Sequence, residues 1–465
     1  MPESAAPADT SASRNRPLST LPDRSTRALP QIPPRAGHGR LSAQDYPGAQ
    51  LRDCVHEQLV AGQVCPHCGR GSLYRETSKQ QMELIGHAPV SAICWQVEVL
   101  RCSACKAIFN ARDPQGKYRP SVKTSIVLLR YYLGQPFHRL EALQRLVGVP
   151  LPDATQWELA ESLFNDVFPV IKVLIEEAAQ ASLIGLDDTH GRVLTLIAEN
   201  KHLPAGARHG VHSTGFVTVG KQVIILFFTS RAHAGENLDK LLDLRHPGQE
   251  KLTQMGDASG NNTSKRHEEK IHVTNCNAHA VRKFKEIQKN FPAPCGIILE
   301  TLAAVFAHDA ATREQRLTPA ARRDYHAQHS GPLLADLKAW METQFRDHQA
   351  EPNSALGEAM NYMLKRWERF TQFLYVPGVP LDNNHVERVL KRLIFQRKNS
   401  LFFANERSAY IGCALTSLIM TAVEAGVNVF AYLNALQEHR FWVAREPERW
   451  LPWNYRQALP CRKAA

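Results

Sequence analysis

Residues 381–403, LDNNHVERVLKRLIFQRKNSLFF, restrict the fold more than any other stretch of the chain. Val386, Val389, Leu390, Leu393 and Ile394 recur at three- and four-residue steps, the period of a helix with one apolar face. Asn384 is a suitable N-cap for it. On and around the other face a single acid, Glu387, stands among Arg388, Lys391, Arg392, Arg397 and Lys398. Such a helix must lay its stripe on a partner while offering cations that attract phosphate. Glu387 has an ordinary reading too: Asn384-x-x-Glu387 has capping-box spacing, and Glu387 with Lys391 is a stabilising i,i+4 pair.

Two aspartates upstream give Glu387 a second reading. Residues 182–187 read as a strand ending in Asp187-Asp188, 192–198 as a second, 215–219 and 222–228 as further strands, and 236–244 as a helix. Residues 252–257 form a short strand ending at Asp257, and 271–276 another that feeds a helix starting near Ala278. The alternation is that of a mixed α/β sheet. Two acids at the carboxyl ends of different strands, with a third on a late helix, suit a pair of Mg2+ (or Mn2+) ions, which can activate a nucleophile and stabilise the leaving oxygen of a phosphodiester. Without cations the clustered charge would repel both itself and a nucleic acid.

Between Asp257 and Glu387 the pattern is helical. Leu334, Leu337, Met341 and Phe345 mark one helix, and Met360, Met363, Leu364, Trp367 and Phe370 another, so a helical insertion separates the second acid from the third. Cys276-Asn-Ala-His279 is half of a zinc motif with no second half nearby; with Arg282 and Lys283 following, a position of His279 and Arg282 beside the acids is the preferred reading. Residues 409–436 read as a long apolar helix, or two, broken at Gly426.

Lys and Arg number 56 against 45 Asp and Glu, a net charge of +11, and the sequence pI is about 9.2. That balance favours a polyanionic partner, nucleic acid before membrane. The first forty or so residues carry no signal-peptide core, and no apolar run reaches the ~20 residues of a membrane span. The longest candidate, 412–427, is interrupted by Thr416, Ser417, Thr421 and Glu424. The expectation is a cytoplasmic, nucleoid-associated chain without a membrane partner. Ten cysteines in such a chain suggest metal ligands and buried thiols. Cys65-Pro-His-Cys68 and Cys102-Ser-Ala-Cys105 supply the four thiolates of one structural Zn2+ site. His67 is a substitute ligand, Cys54 and Cys94 read as buried thiols, and 92–100 as a strand.

Residues 136–168 contain two helical patterns joined by Gly148-Val-Pro-Leu-Pro152, with Asp153 able to cap the second. A helix-turn-helix for a major groove and a plain helical hairpin both fit. The organisation expected from these readings is a disordered basic arm (1–48), a zinc-binding module (49–118), a helical, possible DNA-binding region (119–178), a sheet core (179–290), a helical insertion (291–380), the final core helices (381–440) and a C-terminal tail (441–465).

Beyond these local readings, the chain resembles insertion-sequence transposases of the IS66 type, a branch of the DDE transposases with an RNase H-like catalytic fold. The resemblance rests on the two cysteine knuckles, LDDT at 186–189, HAGENL at 233–238, MGDASGN at 255–261, CNAHAVRKF at 276–284 and PLDNNHVERVLKRLIFQRKNSLF at 380–402. It implies a catalytic triad of Asp187, Asp257 and Glu387, with Asp188 the alternative first acid. It also implies terminal inverted repeats and target DNA as substrates, a homo-oligomeric synaptic complex, and small companion proteins of the same element. A non-catalytic zinc-containing DNA-binding regulator derived from a transposase is the rival. The zinc reading predicts about one Zn2+ per chain by elemental analysis; a folded, zinc-free protein overturns it.

Overall fold

A computed structural model describes residues 58–75, 88–101, 103, 108–110 and 116–459. The expected arm (1–48), Cys54, and the zinc candidates Cys102 and Cys105 lie outside the described residues. The chain divides into two compact units, Met1–Ile85 and Gly86–Ala465. In the first, Val64 bridges Ser72, the Gly69 N–H donates to the Cys65 carbonyl (2.9 Å), and Gly69 turns at φ 65. Backbone N–H groups of Arg70 and Gly71, then the Cys65 side chain, hold the Cys68 thiol below its usual value. A C-x-x-C knuckle needs this kind of tight turn.

The second unit begins with a small antiparallel pair, β1 (Val99–Arg101) and β2 (Ile108–Asn110). Residues 92–98, expected in a strand, are irregular. Three helices follow: α1 (Pro120–Val127), which runs into a π-helical turn at Leu128–Tyr132, α2 (Phe137–Leu146) and α3 (Asp153–Ala179). Gly148, at φ 74, makes the break between α2 and α3. Asp153 is the first residue of α3 and its side chain caps nothing; Pro152 holds the N-cap position. From Ala160 to Ala179 one face of α3 is sunk in the main core, so most of this helix serves packing.

The central sheet is built from β3 (Leu183–His190), β4 (His212–Val219), β5 (Val223–Ser230), β6 (Leu252–Gly256) and β7 (Ile271–Asn275), in the order β5-β4-β3-β6-β7. The three strands on one side are antiparallel, while β6 and β7 join β3 in parallel. The expected strand at 192–198 is instead a single bridge, Val193 to Phe403, followed by α4 (Leu194–Glu199). Only Leu196 of that helix is buried, so the apolar run had one inward position to fill, not a strand face. Helix α5 (Ala234–Leu242) links β5 to β6, and α6 (Asn277–Ile287) follows β7. This mixed five-stranded sheet with flanking helices is compatible with an RNase H-like core.

The insertion comprises α7 (Pro292–Glu314), α8 (Pro319–His329), α9 (Gly331–Arg346), α10 (Ala355–Leu364) and α11 (Trp367–Thr371). The single helix expected over Met360 to Phe370 is two, α10 and α11. Contrary to the sequence expectation, α7 is long and apolar enough, by length and composition, to cross a membrane. Its Cys295, Ile298, Leu302 and Val305 pack with Leu334, Leu337 and Met341 of α9 and Met360 of α10. Asp309, fully buried on the same helix, is paired with Arg313, Arg322 and His326. Burial alone would raise its carboxyl; the His326 hydrogen bond and the two guanidiniums more than offset that and hold it far below the usual range.

The chain then returns to the sheet through α12 (Asn384–Ser400), α13 (Glu406–Glu424), α14 (Val429–Glu438), α15 (Arg440–Arg445) and α16 (Tyr455–Ala458). One sheet face, with Ile184, Leu186, Phe216 and Leu226, packs on α3 and α5; the other, with Val217, Ile225 and Phe227, meets the α12 stripe. β5 is an edge strand, and α13 covers it: the Ile225 and Phe227 N–H groups donate to Thr421 Oγ1 (3.0 Å) and Ser417 Oγ (2.8 Å). The polar interruptions of this apolar helix thus satisfy strand donors that would otherwise be buried unpaired. After residue 440, Val443, Trp450, Leu451 and Tyr455 are buried in the main core.

Glycines permit α12 to approach. A Cβ on Gly185 would overlap Val386 Cγ2 and lie 2.8 Å from Asn383 Oδ1, and one on Gly215 would lie 3.0 Å from Leu390 Cδ1. Gly185→Ala is therefore expected to cost about 1–3 kcal/mol of stability by overpacking. Chemical denaturation checks this against Gly296→Ala, where a Cβ meets nothing within 4 Å; equal stabilities would sink the close-approach argument.

Candidate active site

Successive side chains of a strand point to opposite faces. On β3, Gly185 and Asp187 share the face covered by α12, while Leu186 and Asp188 share the other. Asp257 follows directly on β6, the parallel neighbour of β3. Glu387 lies in the first turn of α12, which Val386 seats against Gly185. Three acids far apart in sequence are thus delivered to the middle of the sheet by two adjacent strands and one helix.

Electrostatics record their proximity. The Asp187 carboxyl is pushed up to about 7, first by burial and then by the negative charges of Asp257, Glu387 and Asp188, against the pull of the Asp188 N–H. That N–H donates to Asp187 Oδ1 at 2.8 Å. Asp257 Oδ1 accepts from Asn262 Nδ2 (2.6 Å) and the Ser259 N–H (3.1 Å), leaving Oδ2 without a hydrogen bond among the described residues. Glu387 Oε1 is buried and also has no hydrogen-bond partner. The ionic partners of Glu387 are His279 Nε2 at 3.8 Å and Arg282 Nη2 at 3.6 Å.

These contacts correct the ordinary reading of Glu387. Asn384 is the first residue of α12, not its cap, and its backbone and side-chain nitrogens donate to Asp382 (3.0 and 2.7 Å). The Glu387–Lys391 pair does not form; Lys391 has no ion pair among the described residues. The half-zinc reading of Cys276 and His279 also fails. Cys276 is buried, its thiol is pushed up to about 11 by burial, and its sulfur accepts the Asn383 N–H at 3.2 Å, while His279 turns to Glu387.

Sequence reasoning passed over several supporting residues. Asn383, buried, donates through Nδ2 to the Leu186 carbonyl (3.0 Å), tying the start of α12 to β3 beside Asp187. Asn277 donates to the carbonyls of Phe370 (3.0 Å) and Leu381 (3.2 Å), fixing the end of the insertion to the site. Tyr362, on α10, has its hydroxyl raised by burial and by Asp257 nearby, and its oxygen accepts the Ala258 N–H. Lys283 lies 4.6 Å over the Tyr362 ring. The adjacent asparagines at 383 and 384 were the only sequence signal for this framework.

The expected phosphate-binding cations divide in two. Arg388, Lys391 and Lys398 are exposed and have no ion pair or hydrogen bond among the described residues. Arg392 stacks on Tyr132 (4.5 Å) and donates to its hydroxyl (3.2 Å), and Arg397 donates to Thr189 Oγ1 (3.3 Å) and the His190 carbonyl. Two of the five are therefore already engaged by the protein.

Among the described residues, the side chains whose candidate ligand atoms all lie within 4.8 Å of one another are Asp188, His212 and His233, not the three acids. One ion with ligand bonds near 2.1 Å draws its oxygens to within about 4.2 Å of each other, whereas two ions roughly 3.5–4 Å apart spread them further. The donors of the acidic site are hard carboxylate oxygens of the kind divalent cations take, one of them buried without a hydrogen bond, beside a carboxyl raised to about 7 by burial and then by its acidic neighbours.

The sequence model of the Transposase IS66 family matches residues 115–410, a span that includes all three acids. Three uncharacterized proteins of Sinorhizobium fredii (strain NBRC 101917 / NGR234) are similar. Protein y4jD is 31% identical over 185 residues, 39% of this chain and 35% of its own length. Protein y4hP is 25% identical over 434 residues, 85% of this chain and 74% of its own. Protein y4qI is 27% identical over 194 residues, 40% of this chain and 35% of its own. The chain thus spans about a third of two of these relatives and about three quarters of the other. A family match over well over half of the chain, running from α1 through α12 into α13, decides the classification: this chain belongs to the IS66 family of transposases.

Proposed function

We propose that the chain is a DNA transposase of RNase H-like fold. In this reading Asp187, Asp257 and Glu387 hold two Mg2+ or Mn2+ ions and carry out strand cleavage at transposon ends, then strand transfer into target DNA. The observation that carries the reading is the gathering of the three acids around Asp187, whose carboxyl is raised to about 7 by burial first and by the charges of Asp257 and Glu387 second, inside a chain of net charge +11. Such charge has use only where cations neutralise it beside a polyanion.

When bound, the two cations supply positive charge at the scissile phosphate and lower the pKa of the attacking water or 3′ hydroxyl. The protein positions and neutralises. Asp187, central on β3, gives up its proton to become a ligand. Asn262 fixes the rotamer of Asp257, and His279 and Arg282 orient Glu387. Arg388, Lys391 and Lys398 anchor backbone phosphates, with Arg282 and Lys283 closer to the acids; Arg392 and Arg397 chiefly brace α12. Both displacements are direct, so no covalent enzyme intermediate is needed. The substrates are the element's terminal inverted repeats and target DNA, handled by a homo-oligomeric synaptic complex with small companion proteins of the element.

Asp257→Asn and Glu387→Gln are expected to bind end-containing DNA normally while losing strand transfer by about 100-fold or more. Gel assays of cleavage and joining with Mg2+ or Mn2+ measure this. Wild-type-like joining in either variant refutes the assignment, and binding without cleavage by the wild type would favour the non-catalytic regulator.

Asp187 also sets a pH dependence. Its folded value, about 7, lies above the ordinary 3.8, so between these the folded chain keeps a proton that the unfolded chain releases. Metal-free stability is therefore expected to fall as pH rises through that window, and to fall less in Asp187→Asn. Mg2+ should restore stability to the wild type and not to the variant. Thermal unfolding from about pH 5 to about pH 8 reads both effects; identical pH profiles would contradict the raised Asp187 carboxyl.

A further inference from the structure

On the sheet face opposite Asp187, three side chains converge that the proposed catalytic machinery does not use. Asp188 on β3, His212 at the start of β4 and His233 before α5 offer ligand atoms that all lie within 4.8 Å of one another, each residue half-buried. The His212 and His233 rings have centroids 3.9 Å apart, and His233 Nδ1 lies 3.2 Å from Asp188 Oδ2. A tetrahedral ion with bonds of about 2.0–2.1 Å holds neighbouring ligand atoms about 3.3 Å apart, close to that separation.

The surroundings are those of a held ligand. Asp188 Oδ1 accepts from Thr214 Oγ1 (2.6 Å), which in turn accepts from Asn237 Nδ2 (3.0 Å). Asp188 Oδ2 accepts the Ala234 N–H (2.9 Å), and Glu236 Oε2 accepts the His233 N–H (2.8 Å). Carboxylate and imidazole are thus oriented by a second layer of hydrogen bonds, as metal ligands are. Half-burial leaves room for water to complete the shell.

We propose that Asp188, His212 and His233 bind a transition-metal ion of the Zn2+ class, separate from both the cysteine knuckles and the three-acid site. Two imidazoles and one carboxylate suit zinc, cobalt or iron(II) better than magnesium, which prefers an all-oxygen shell. The ion would pin β3 to β4 and α5 at the residue next to Asp187, whose carboxylate accepts the Asp188 N–H. Asp188 then acts as a positioning residue, and the paired aspartates of LDDT serve two faces of one strand. The inference does not depend on the transposase reading.

The test uses full-length protein stripped with a chelator and titrated with Co2+ alone. Wild type should bind about one equivalent more than His212→Gln/His233→Gln. The extra ion should show visible d–d absorption without a thiolate charge-transfer band, and excess Mg2+ should leave it in place. Asp188→Asn should weaken it at least about tenfold. Circular dichroism in chelator establishes that the double variant is folded; if it is not, His212→Gln alone is titrated under the same criteria. Equal Co2+ uptake with equal affinity in wild type and variants overturns the proposal. So does displacement of the extra ion by Mg2+, which would assign it to the acidic site.

Discussion

The contact between α12 and the sheet at Gly185 and Gly215 sets the geometry of everything around it. A helix carrying Val386, Val389, Leu390 and Leu393 buries its apolar stripe on Val217, Ile225 and Phe227, and can approach closely because two strand positions carry no side chain. Asn383 adds a hydrogen bond to the Leu186 carbonyl, fixing the rotation of the helix start relative to β3. Glu387 is thereby held near Asp187, although the whole helical insertion lies between Asp257 and Glu387 in the chain.

That arrangement concentrates negative charge at considerable electrostatic cost. Asp187 is raised by burial and by its acidic neighbours, and Glu387 Oε1 is buried without a hydrogen bond. Several other buried polar groups are paired. Ser417 and Thr421 pair the edge-strand donors of β5, and in the insertion Asp309 is fully surrounded by Arg313, Arg322 and His326. An unmet carboxylate oxygen among clustered acids is a sign that a ligand completes the site.

β3 also separates two chemistries. Asp187 faces hard carboxylate oxygens suited to magnesium, and Asp188 faces imidazoles suited to a softer ion. The period-two geometry of a strand makes this possible with adjacent residues, and a one-residue slip in register would exchange their environments.

Periodicity alone placed sheet strands over 183–187, 215–219, 223–228, 252–256 and 271–275, the helix carrying Glu387, and the break at Gly426, because strand alternation, helical stripes and glycine punctuation are local. The net positive charge and the placement of Asp257 at a strand end were legible for the same reason, whereas β3 continues past Asp187 to His190, so that Asp187 lies within its strand and not at its end. Only the tertiary structure decided that residues 194–199 are helical, that α3 belongs mostly to the core, that Arg392 and Arg397 are spent on Tyr132 and β3, and that Lys391 does not pair with Glu387, whereas His279 and Arg282 stand beside that acid as their spacing suggested. The grouping of His212 and His233 with Asp188 was equally hidden. Each of these depends on which side chains meet across elements distant in sequence, and a one-dimensional pattern of apolar and charged residues carries no such distances.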